Sequence, residues 1–162
     1  MSNENLLHQI PYFEYSVINQ IAHQHVEQLG ARLRVVVVFG DIKTSDDAYD
    51  IDLLEVIEDW TAPSRFAEFR GDSTLPIRGT LRLWFLNPEE FEERSGMIGD
   101  EMHDWVQRLM EHVRKGYEVV YQVPAGYARN VLERNASITT LNAPGSGVLI
   151  MNNPFDLSVA RK

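Results

Sequence analysis

Along the first third of the chain the hydrophobic pattern changes period. Val17, Ile18, Ile21, Ala22, Val26 and Leu29 recur at three- and four-residue spacing, which predicts a helix over 12–29 with Gly30 as its stop. The pattern then becomes extended. Val35-Val36-Val37-Val38-Phe39 is an apolar, largely β-branched run and predicts a strand over 32–39; Leu53-Leu54-Glu55-Val56-Ile57 predicts a second over 51–57. Between them lies a polar stretch, Asp41 to Tyr49, rich in small and acidic residues.

Further on, Thr61-Ala62-Pro63-Ser64 reads as the opening of a short helical piece reaching Phe69, followed by a loop over 71–76 and a third strand over 79–86. Asn87-Pro88-Glu89-Glu90 combines an Asn cap, a proline at the first helical position and a glutamate three residues after the cap, so a short helix should run to Glu93. Met102, Trp105, Val106, Leu109 and Val113 share one face of an amphipathic helix expected over 100–115, ended by Gly116. A fourth strand is expected over 117–123 and a last helix over 125–134. From Asn135 the composition turns to Ser, Thr, Asn, Gly and Pro; residues 148–151 offer one short strand in a tail otherwise expected to be loosely ordered or held by a partner. The division is thus a domain over 1–134 and a polar tail over 135–162. Two adjacent strands joined by about ten residues suit a small mixed or antiparallel sheet packed by helices, an α+β fold rather than a doubly wound one.

Composition narrows the function. The 162 residues, 44% hydrophobic and 24% charged, are one domain's worth of ordinary globular chain. Apolar runs stop at about five residues, where a membrane span needs about 20. The N-terminus lacks the basic flank and apolar stretch of a secretory signal, so a cytoplasmic location is the default expectation. Without cysteine there are no disulfides, zinc–thiolate sites or thiol nucleophiles. Fifteen Lys and Arg against 24 Asp and Glu leave a formal charge of −9, which disfavours a large RNA or DNA partner. A single nucleotide entering with its metal is compatible with that balance.

The chemistry concentrates at Asp50-Ile51-Asp52. Residues two apart on a strand share a face, and two neighbouring carboxylates repel unless a cation relieves them. They form a candidate magnesium site; the blander alternative is a solvated strand start. Asp41, Asp46 and Asp47 read as turn residues. His23 and His25 diverge on their helix and, with His103 and His112, form no zinc motif. No Gly-x-Ser-x-Gly elbow supports a hydrolase. Trp84, Phe85, Trp105 and Tyr121 read as core.

Phe39-Gly40, Asp50-Ile51-Asp52-Leu53-Leu54, Leu83 to Glu92 (LWFLNPEEFE) and Val113 to Tyr121 (VRKGYEVVY) occur in an order that resembles the minimal nucleotidyltransferases of the DNA polymerase beta-like superfamily, over about residues 15 to 122. The resemblance implies a nucleotidyltransferase-like fold and magnesium-dependent transfer of a nucleoside monophosphate from an NTP to a hydroxyl of a small molecule or protein. Carried over, Gly40 and the adjoining Asp41 would cradle the phosphates, and Asp50 and Asp52 would be the catalytic metal ligands. The chain departs from the pattern in three places. Asp41 stands where the family has serine, which sets a carboxylate against phosphate. The loop is shorter, with Tyr49 before the Asp pair. Arg82 occupies the strand position of the third carboxylate; it cannot ligate a metal but could pair with Asp50 or Asp52. The competing expectation is a non-catalytic member of the same fold, an antitoxin-like binding or regulatory subunit for a protein partner.

Overall fold

The computed structural model describes residues 12–39, 49–60, 66–70, 79–93, 113, 116–134, 149–150, 155 and 157. Helix α1 is Tyr12–Leu29, and Gly30 follows it at φ +58, the left-handed conformation that ends a helix without a Cβ penalty. A 3-10 turn, Gly30–Arg32, leads into β1, Leu33–Phe39, and β2 is Tyr49–Ile57. Then come β3 (Phe66–Arg70), β4 (Gly79–Leu86), α2 (Pro88–Glu93), β5 (Tyr117–Gln122), α3 (Tyr127–Arg134) and β6 (Leu149–Ile150).

The fold is mixed α/β. Among the described residues one six-stranded sheet has the order β5-β1-β2-β4-β3-β6. β1 lies antiparallel to β2 and β5, β2 parallel to β4, β3 antiparallel to β4, and β6 parallel to β3. The expected mixed sheet is therefore present. One expectation is corrected: residues 66–69 are not helical. Phe66, Glu68 and Arg70 alternate with Ala67 and Phe69, and the segment pairs with β4 as a strand. Five residues cannot separate a period of 2 from 3.6 when a proline and a serine imitate a helix start. The amphipathic helix expected over 100–115 lies outside the described residues except for Val113, which is helical and buried.

Alternation along the strands divides the core. Val36, Val38, Ile51, Leu53, Leu83 and Phe85 face α1, which contributes Val17, Ile18, Ile21 and Ala22. Val35, Val37, Phe39, Leu54, Val56 and Leu86 face the other way and pack with Phe91 of α2 and Ala128, Val131 and Leu132 of α3. Two bulges hold this register. A shift between Leu33 and Val35 takes Arg34 out of the β1–β2 ladder, and one between Val36 and Val37 does the same for Val120 of β5. The α2 start matches its expected cap: Asn87 Oδ1 accepts from the Glu90 amide at 2.8 Å, and Glu90 Oε1 accepts from the Asn87 amide at 3.0 Å. Beyond residue 134, Leu149 and Ile150 pair with Ala67 and Glu68, and Leu157 is fully buried in the α1-side core.

Candidate functional site

The β-ladder sets Asp52 in a polar row across the sheet. Asp52 of β2 lies opposite Phe39 of β1 on one side and Arg82 of β4 on the other, and Arg82 lies opposite Glu68 of β3. Two residues further along β2 and β4 come Leu54 and Trp84, on the apolar side of the same face. The row lies at the end of the sheet where β1 leaves for β2.

The Asp52 carboxylate is closely held. Arg82 Nη1 donates to Oδ1 at 3.3 Å and to Oδ2 at 3.2 Å, and the Trp84 indole N–H donates to Oδ1 at 3.0 Å. The Trp84 ring lies 4.5 Å from that of Phe66, which limits its movement. The Asp52 and Arg82 side chains are 12% and 27% exposed, so water screens the pair only partly. Trp84 was expected as core alone. Its donor role was readable in its position two residues after Arg82, on the same strand face.

Of the other site residues, Asp50 is placed by its backbone, two residues before Asp52 and at the register position opposite Thr80. Gly40 and Asp41 lie outside the described residues. A magnesium ion built on Asp52 does not fit what is described. Its oxygens already accept from a guanidinium and an indole, and the cross-strand neighbour is a cation. Among the described residues no group of three His, Cys, Asp or Glu side chains is placed to hold a metal.

A second polar cluster joins α2 and α3 to the sheet. Bulged Arg34 donates to the Val123 carbonyl at 2.8 Å and to Glu58 Oε2 at 2.6 Å, and its guanidinium stacks 4.5 Å from the Tyr127 ring centre. The Tyr127 hydroxyl donates to Glu92, and Arg134 donates to the Glu92 carbonyl at 3.0 Å. Burial chiefly, then the hydrogen bond to Glu92 and the negative charges of Glu92 and Glu58, push the Tyr127 phenol well above its ordinary range; Arg34 opposes the shift.

Two surface depressions lined by described residues lie away from Asp52. One of about 330 Å³ is lined by Glu58, Asp59, Trp60, Asn87, Pro88 and Glu89. Another, about 740 Å³, lies on the outer face of α1 between Ser16, His23 and Phe155. No described helix is long and apolar enough to cross a membrane. No family model matches the chain, and no curated protein matches it.

Proposed function

We propose that the chain is a nucleotidyltransferase-fold protein that acts as a binding or regulatory subunit rather than as a transferase. The observation that carries this is the engagement of Asp52 by Arg82 and Trp84. An arginine beside Asp52 supplies the positive charge that a metal would bring, and offers no lone pair with which to bind one. The formal charge of −9 makes a protein a better partner than a nucleic acid. Calorimetric titration of the whole chain with ATP, with and without magnesium, is expected to show no magnesium-dependent binding. Saturable magnesium-dependent binding that Asp52→Asn abolishes would overturn the proposal. A chain that stays monomeric and captures nothing from its native lysate would count against the regulatory part of it.

The second reading is magnesium-dependent transfer of a nucleoside monophosphate from an NTP to a hydroxyl acceptor. What favours it is the β2 register, which keeps Asp50 two residues ahead of Asp52, next to the connection that carries Gly40. The same titration separates the two readings.

A further inference from the structure

Beyond α3 the chain changes sides of the sheet. α3 packs on the face formed by Val35, Val37, Leu54 and Val56, and Arg134 at its end donates to the Glu92 carbonyl of α2, which packs there through Phe91. Leu149 and Ile150 then pair with Ala67 and Glu68 along β3. Leu157 is fully buried on the other face, in the core that holds Val17, Ile18 and Ile21 of α1, and Phe155 packs against the same core. The Leu157 amide donates to Gln28 Oε1 at 3.0 Å. This is the side where α1 brings His25 Nδ1 within 2.6 Å of Glu55 Oε2. The described residues of the segment thus form a hook, lying first along β3 and then under α1.

The surfaces that receive the hook, β3 and the α1-side core, are built from residues before 135. Two copies of the chain carry two identical hooks and two identical receiving surfaces, so the fit seen within one copy is also a fit between copies. Residues 135–148 join α3 to β6. About 14 residues extend to roughly 46–50 Å, whereas six strands side by side span about 24 Å. That connection is long enough to reach the β3 of its own copy or of an adjacent one. We propose that two copies exchange their hooks, so that β6 and Leu157 of each seat on β3 and the α1-side core of the other.

Exchange preserves every contact that the hook makes and alters only the path of the connection, which is what makes such dimers low in cost. The closed monomer and the exchanged dimer therefore differ chiefly by mass action. Dilution favours the monomer, and concentration favours the dimer. The arrangement is isologous, each copy giving the same segment and receiving the same segment, so it closes at two copies and does not propagate.

The test uses the full chain, which has no cysteine of its own. Ala67 and Leu149 are register partners on strands about 4.8 Å apart, within the Cα separation that a disulfide spans. Wild type would be refolded from urea at micromolar to millimolar concentration and followed by light scattering; it is expected to pass from monomer to dimer. Ala67→Cys and Leu149→Cys chains, refolded together and oxidised, should give a covalent heterodimer well in excess of either homodimer. The chain carrying both substitutions, oxidised while dilute, closes on itself and should stay monomeric over the same range. A wild type that remains monomeric at millimolar concentration would overturn the proposal. So would a dimer that persists in the oxidised double variant, since it forms without exchange, or a heterodimer no more abundant than the homodimers. If the cysteine variants do not fold, deletion of residues 138–145 decides it. The connection left, about six residues, extends to roughly 20 Å, which strains the closed monomer and should raise the share of dimer. An unchanged or smaller share would overturn the exchange.

Discussion

At Asp52, a strand-end carboxylate has become an internal salt bridge, and the cost of separating its members can be estimated. Truncating Arg82 leaves a mostly buried carboxylate with the Trp84 N–H as one remaining donor. Arg82→Ala should therefore destabilise the fold by about 1–3 kcal/mol, the usual cost of stranding a buried polar group. Asp52→Asn should recover much of that loss in the double variant, because it removes the stranded charge. The expected coupling in a urea-unfolding cycle is about 0.5–3 kcal/mol, and strictly additive losses would show that the pair does not interact. Tyr127 gives a second residue-level expectation. Its phenol is held protonated above the ordinary value of about 10, so the stability it contributes is complete below that pH and is lost as pH rises further. Tyr127→Phe should flatten the alkaline decline in stability, and a tyrosinate absorbance titration should lose its most basic step. If that step persists in the variant, the assignment to Tyr127 is wrong.

At the scale of elements, legibility followed from how local the signal was. α1 and β4 were expected over the residues they occupy, because a helical period sustained over 18 residues and an apolar run stopped by Asn-Pro need no distant partner to be recognised. The α2 cap was equally local. Asn87→Ala removes one half of a reciprocal box on a six-residue helix and should cost about 1 kcal/mol in thermal or urea unfolding. No measurable change would mean that Phe91, not the cap, holds α2 in place. β3 was misread because its identity depends on pairing with β4, a partner later in the chain. Glu55 was overlooked for a related reason: inside an apolar run it reads as an interruption, and only the docking of α1 supplies His25. The Asp52–Arg82 pairing was readable as one of two options, and the parallel β2–β4 register decided it.

Described residues beyond 134 take part in the fold at whole-molecule scale. Leu157 sits in a short Phe-Asp-Leu-Ser-Val stretch too brief to fix a period, yet it is fully buried in the α1-side core and its amide donates to Gln28 Oε1 at 3.0 Å. Leu149 and Ile150 extend the sheet beyond β3. The C-terminal segment thus reaches one sheet edge and the α1 face, closing a core built mainly from residues more than a hundred positions earlier. Leu157→Ala should cost about 2–5 kcal/mol, as expected for a large-to-small change at a site fully shielded from water. Gln28→Ala, which removes only the acceptor of one backbone hydrogen bond, should cost about 1 kcal/mol. Urea unfolding of both variants, beside a chain ending at Arg134, orders the contributions. Truncation should exceed Leu157→Ala, since it also uncovers the β3 edge. A truncated chain that unfolds at the wild-type urea concentration would make the segment an appendage, and α1 and the sheet would then have to close their core without it.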